Sequence, residues 1–171
     1  MNQMLQYTKT KKIVRMSLFT AIALIIFVIE AQIPFVPIIP GIKLGLANIV
    51  TLILISCFTY KEAFTVLIIR IILGSIFSGQ MVSFFYSLSG GIFCFIAMAI
   101  SSKLLKRSNI WFTSIIGGLF HNIGQMTAAL IILRSWNVVY YFPILIVSGI
   151  VTGFVVGVTA EIICKRIKNI M

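Results

Sequence analysis

The chain has 171 residues, of which 60% are hydrophobic and only 10% are charged, and its mean hydropathy is +1.14. A soluble domain of this length would show polar outer faces, whereas here apolar stretches of roughly 20 residues follow one another with short polar breaks. The composition therefore excludes an ordinary soluble domain. The formal net charge of +11 does not indicate nucleic-acid binding, because the basic residues stand between apolar stretches and not along one water-exposed face.

The apolar stretches predict an all-α integral membrane protein that forms one transmembrane domain over residues 1–171, with a basic segment at 1–12. The first stretch is too long for a signal-peptide core and ends without a cleavage site, so we expect it to be a retained span. The prolines between 34 and 40 predict a stiff, non-helical loop after it. Six transmembrane helices are predicted, at residues 13–33, 43–59, 62–79, 82–102, 110–133 and 140–163.

The distribution of lysine and arginine predicts that both termini lie in the cytoplasm. This orientation leaves only Lys43 and Arg134 at the outer surface and Arg70 within a span, and cytoplasmic loops of membrane proteins carry an excess of basic residues. The basic segments at the two termini lie on the same side of the membrane only if the number of spans is even.

Polar side chains cluster in the outer half of the predicted bundle. Each is costly in lipid, so we expect each to face a partner or a cavity. With Glu30 as the single outer acid, their charge favours an anionic or strongly hydrogen-bonding solute, held in a pocket that is open to the outside and closed below. The candidate binding residues are Lys43, Asn48, Arg70, Gln80, His121, Asn122 and Gln125.

Each candidate also has a purely structural interpretation. The polar residues at 121, 122 and 125 could form interhelical hydrogen bonds. Arg70 could be a structural cation paired with Glu30, with Glu161 or with carbonyl groups at a helix end. Lys43 could extend to the lipid headgroups.

The sequence lacks the residues that several kinds of chemistry require. The chain has no aspartate and only three glutamates, which argues against a magnesium-diphosphate site and hence against a polyprenyl diphosphate synthase. It has no P-loop, and its single histidine predicts neither a metal site nor a haem site. We therefore expect no enzyme activity and no cofactor, although an intramembrane enzyme acting on a lipid-like substrate stays open as an alternative.

Three stretches resemble the Gx transporter family. They are PGIKLGLANIV from Pro40, RIILGS from Arg70 and GLFHNIGQ from Gly118. That family is often labelled heptaprenyl diphosphate synthase component I and is similar to the substrate-binding S components of energy-coupling factor transporters.

The resemblance implies an S-component-like bundle of six helices in the cell membrane of a prokaryote. Such a protein captures a small molecule at the outer face, contacts membrane lipids, and joins a transmembrane coupling subunit and two cytoplasmic ATPases. The loop at residues 34–41 would then be a gate, and Ser17 with Ala21 would be the nearest match to the docking motif on helix 1. The alternative is a membrane accessory subunit for isoprenoid or quinone metabolism or for electron transfer, without transport activity.

Overall fold

The computed structural model describes residues 2–32, 43–79, 81–105 and 109–170, with the side chains of residues 2–8 and 170 left aside. Over these ranges the chain is helical and contains no strand, which confirms the all-α prediction. A 3-10 helix, Trp136–Tyr141, precedes the last helix. The six α-helices are α1 Asn2–Ala31, α2 Asn48–Cys57, α3 Tyr60–Ser78, α4 Met81–Leu104, α5 Ile110–Leu133 and α6 Phe142–Ile170.

Four of the described helices are long and apolar enough to cross a membrane. The spans are Lys9–Ala31 in α1, all of α4, all of α5, and Trp136–Asn169, which includes the 3-10 helix and α6 up to its last residue but one. The other two helices differ: α3 carries three charged residues among its 19, and α2 has only 10 residues. A helix of that length is about 15 Å long, half the hydrocarbon thickness of a bilayer.

The predicted range of the second helix is wrong at its start. Residues 43–47 are not α-helical, and α2 begins at Asn48. Gly45 has a φ of +83°, a left-handed conformation that glycine adopts without a steric penalty and that interrupts a helix. In contrast, α5 has the predicted bounds of 110–133.

The first and last helices are longer than predicted. Helix α1 already begins at Asn2, within the basic segment, and α6 continues to Ile170. Neither extension contains a glycine or a proline, and lysine, arginine, glutamine and methionine are good helix formers. Hydropathy predicts where a helix leaves lipid, but it does not predict where the helix ends.

The short helix α2 is the centre of the bundle. It contacts all five of the other α-helices, whereas α1 and α6 are not in contact with each other among the described residues. Eight of its ten residues are buried, including Leu52, Leu54 and Ile55. Because nearly every side of α2 is buried, the helix fills the space that the outer helices enclose.

Glycines bring α5 and α6 into close contact. A Cβ atom on Gly118 would lie 2.5 Å from the carbonyl oxygen of Gly149, and one on Gly153 would lie 2.8 Å from the Cα atom of Ile115. The spacing of Gly149, Gly153 and Gly157 indicates this kind of contact, because small residues four apart leave one helix face bare.

An ion pair with a buried carboxylate and partly exposed cations joins α1 to the start of α3. Glu62, whose side chain is 4% exposed, accepts two hydrogen bonds from Nη2 of Arg15, at 3.0 and 3.1 Å, and lies 3.3 Å from Nζ of Lys12. The Arg15 guanidinium also lies 4.3 Å from the centre of the Phe58 ring. We call this end of the bundle the Glu62 end, and the opposite end, which contains residues 43–47, the Lys43 end.

Replacing Glu62 with Gln is expected to lower the free energy of unfolding by about 1–3 kcal/mol, because the amide offers Arg15 one neutral acceptor in place of two charged ones and Arg15 keeps its charge. The matched control is Lys61→Gln, since Lys61 is adjacent and exposed, and it should change stability by less than about 0.5 kcal/mol. Denaturant unfolding followed by circular dichroism measures both. Equal stabilities of the two variants would contradict a structural role for the ion pair.

Candidate functional site

The last turn of α1 holds residues 43–47 in place. The Glu30 carboxylate accepts hydrogen bonds from the backbone N–H groups of Gly45 and, at 3.4 Å, of Ala47. Glu30 is 3% exposed. On the other side, the Thr152 hydroxyl on α6 lies 3.5 Å from the carbonyl oxygen of Leu44. The segment is therefore held between α1 and α6 just before α2 begins.

Two cations meet beside the Phe27 ring. The Lys43 Nζ atom lies 3.4 Å from the ring centre, and the Arg70 guanidinium carbon lies 5.8 Å from it. A Cβ atom on Gly74 would lie 2.7 Å from the ring, so the absence of a side chain there lets Phe27 pack against α3. Interaction with an aromatic face offsets part of the cost of removing a cation from water.

His121 and Gln125 lie one turn apart on α5 and face α4 and the 43–47 segment. A Cβ atom on Gly45 would lie 2.9 Å from Cδ2 of His121, and one on Gly90 would lie 2.8 Å from its Cε1 atom and 3.0 Å from Cγ of Gln125. Glycine at both positions therefore lets the backbone approach the imidazole from two sides. Asn48 lies on the same side of Gly45 as the imidazole, because a Cβ atom on Gly45 would also lie 2.8 Å from Nδ2 of Asn48.

The charged groups are close enough to interact with one another. Arg70 interacts electrostatically with Glu30, with Lys43 and with His121. No carboxylate in the described part of the chain lies within 4.0 Å of the Arg70 guanidinium, and Glu161, the other predicted partner, pairs with Lys165 at 2.8 Å. Glu30 thus compensates Arg70 over a distance while its oxygens bind backbone N–H groups.

Many buried polar atoms of this region lack a hydrogen-bond partner among the described residues. A buried polar atom without a partner costs about 1–3 kcal/mol, and native structures contain few of them. Here they are gathered on four neighbouring side chains, which indicates a site that a ligand completes. The atoms are Nζ of Lys43, Nε and Nη2 of Arg70, Nε2 and Oε1 of Gln125, and the ring nitrogens of His121, of which Nδ1 lies beside the Gly90 backbone and interacts with it.

Asn122 faces a different neighbour. Its Nδ2 atom donates to the carbonyl oxygen of Leu145 and, at 3.3 Å, to the hydroxyl of Ser148, both on α6. This is the interhelical hydrogen bonding that the structural interpretation expects. Only its Oδ1 atom has no partner among the described side chains and backbone groups.

Of the candidates from the sequence, Gln80 and the proline-rich loop lie outside the described residues. The proposal that Lys43 extends to headgroups is wrong, because its buried Nζ atom lies against Phe27. The sequence did not indicate Phe27 or Gly90, since an apolar ring and a glycine within apolar helices carry no polar signal. The candidates that the structure brings together are Lys43, Asn48, Arg70, His121 and Gln125.

The core between this cluster and the Glu62 end is mostly apolar. Leu52, Ile53, Cys94 and Met98 pack together there. Towards the Glu62 end a few buried hydroxyl groups follow, among them that of Ser114, although the sequence predicted that the polar side chains cluster in the outer half. The charged cluster and the Glu62 ion pair are therefore separate along the bundle.

The fold and the site define a helical membrane protein with a charged, hydrogen-bonding cluster enclosed between α1, α3, α4 and α5. The chain belongs to the heptaprenyl diphosphate synthase component I family, whose model matches residues 19–163, and this confirms the resemblance to the Gx transporter family. No curated protein and no solved structure matches the chain.

Proposed function

We propose that this protein is the substrate-binding component of an energy-coupling factor type importer, and that it captures a small anionic solute. The observation that carries the proposal is the set of unpartnered, buried polar atoms on Lys43, Arg70, His121 and Gln125. Such atoms are costly, and a bound ligand that pairs with them would remove the cost. The excess of two cations over one acid favours a ligand of negative charge.

The orientation in the membrane is part of the same proposal. The Lys43 end faces the outside, and the Glu62 end, together with both basic termini, faces the cytoplasm, in agreement with the positive-inside rule. The apolar core below the cluster, which contains Leu52 and Met98, separates the solute from the cytoplasm. Release to the inside then needs a movement of the protein, and no enzyme chemistry is required.

The partners in this proposal are a transmembrane coupling subunit and two cytoplasmic ATPases. A groove of about 450 Å³ runs between α1 and α3, and its wall includes the small residues Ser17, Thr20 and Ala21. Small side chains allow another helix to approach closely within lipid. We therefore place the contact with the coupling subunit in this groove.

The family description supports one second candidate function, a membrane accessory subunit of an isoprenoid-forming enzyme. The two candidates differ in the proteins that bind the chain. Purification from its native membrane together with a coupling subunit and two ATPases supports the importer, whereas purification with one soluble enzyme alone supports the accessory subunit.

Replacing Lys43 with Met is expected to lower solute occupancy at least tenfold with little loss of stability, because Met keeps the packing against Phe27 and removes the charge. The matched control, Lys61→Met, removes an exposed lysine at the other end and should retain full occupancy. Mass spectrometry of small molecules released by heating the purified proteins measures the occupancy. Equal occupancy in both variants would overturn the proposed site.

A further inference from the structure

The unpartnered atoms of Arg70 lie on one edge of its guanidinium group. They are Nε and Nη2, whose N–H bonds lie in the guanidinium plane and point in nearly the same direction. This edge matches the two oxygens of a carboxylate or of a phosphate in a bidentate pair. Arg70 is itself only 4% exposed, so bulk water does not reach this edge.

The charge at the Lys43 end limits what the anion can be. The cluster contains Lys43, Arg70 and Glu30, which sum to one positive charge when His121 is counted as neutral imidazole. Residues 33–42 and Gln80 carry no charge, and the remaining cation of this end, Arg134, is exposed. A single negative charge on the ligand therefore makes the enclosed site neutral.

A phosphate monoester carries a charge of about −1.5 to −2, and a diphosphate carries more. Either would leave an excess of negative charge away from water, which is costly unless it is paired. The magnesium ion that usually accompanies a diphosphate needs oxygen ligands, and the single acid of this cluster, Glu30, already binds the backbone N–H groups of Gly45 and Ala47.

We infer that the solute is a small monocarboxylate and not a diphosphate, and that its carboxylate binds the Nε and Nη2 edge of Arg70. The inference rests on the proposed function and adds the chemical class of its substrate. Lys43 contributes the second positive charge. Gln125 offers a donor and an acceptor and His121 a ring nitrogen, so the rest of the solute carries hydrogen-bonding groups of both kinds.

The test compares Arg70→Lys with Arg134→Lys in full-length protein purified into lipid nanodiscs. Lysine keeps the charge but loses the two-pronged edge, so Arg70→Lys is expected to reduce the amount of heat-released solute by 10- to 100-fold. Arg134→Lys changes an exposed arginine in the same way and should release the wild-type amount. The unfolding temperatures of the ligand-free proteins show whether either variant is misfolded. If Arg70→Lys is misfolded, the test is repeated with Arg70→Met.

Mass spectrometry then identifies the released molecule. A monocarboxylate that depends on Arg70 supports the inference. A diphosphate or a phosphate overturns it and leaves the proposed function standing, as does undiminished release from Arg70→Lys. A neutral molecule overturns both the inference and the anionic solute of the proposed function.

If the wild-type protein releases nothing, fragment pairs decide. The inference is supported if benzoate raises the unfolding temperature and benzamide does not. It is overturned if only isopentenyl diphosphate raises the unfolding temperature. No response to any of these probes overturns the proposed function as well.

Discussion

A Gln125→Leu variant is expected to be more stable than the unliganded parent protein and to bind no solute. Gln125 is 1% exposed, and both polar atoms of its amide lack a partner among the described residues. Leucine has a similar volume and no polar atoms, so the free energy of unfolding should rise by about 1–3 kcal/mol. Denaturant unfolding and the amount of heat-released solute measure the two effects.

The matched control is Ser89→Ala, on the facing helix α4. The Ser89 hydroxyl donates to the Gly124 carbonyl oxygen at 2.7 Å, so its polar atom does have a partner. Its removal should lower stability by about 0.5–1.5 kcal/mol. If Gln125→Leu were destabilised in the same way, Gln125 would be an interhelical hydrogen-bonding residue and the binding site would lose its main support.

The second large effect is expected for Glu30→Gln, which should lower the free energy of unfolding by about 3–5 kcal/mol. The change weakens the hydrogen bonds from Gly45 and Ala47 and leaves Lys43 and Arg70 without a compensating charge. Removing one member of a buried charged group has a cost of this size. Denaturant unfolding in detergent measures it.

A matched control and a double variant separate the two causes. Glu161→Gln removes a partly exposed acid that pairs with Lys165 one turn away, and it should cost about 0.5 kcal/mol. The double variant Glu30→Gln with Arg70→Met should regain part of the stability, because the uncompensated charge is smaller. Additive losses in the double variant would contradict electrostatic coupling between Glu30 and Arg70.

The sequence predicted those features that depend on local pattern. Uniform hydropathy predicted the bounds of α5, and glycines four apart in α6 indicated a close helix contact without indicating that α5 is the partner. Polar residues within apolar stretches indicated Lys43, Arg70, His121 and Gln125, because each is costly in lipid. Whether these residues bind a solute stays a prediction.

The remaining features depend on contacts that are distant in sequence. Glu30 binds the backbone of Gly45, 15 residues away, and Arg15 binds Glu62, 47 residues away, and neither spacing has a periodic signal. The apolar run at 43–59 predicted a full span, but the left-handed conformation of Gly45 shortened the helix to ten residues. Because that run is apolar on all sides, hydropathy cannot distinguish a helix that faces lipid from one that is surrounded by protein.

The length of α2 has a consequence for biogenesis. Ten residues are too few to anchor a helix across a bilayer, and the polar backbone groups at its two ends must be covered by protein when they lie within lipid. Only Phe58 and Thr59 separate α2 from α3. The insertion machinery therefore has to accept α2 and α3 together as one hairpin, and α2 gains its final surroundings only after the later helices have arrived.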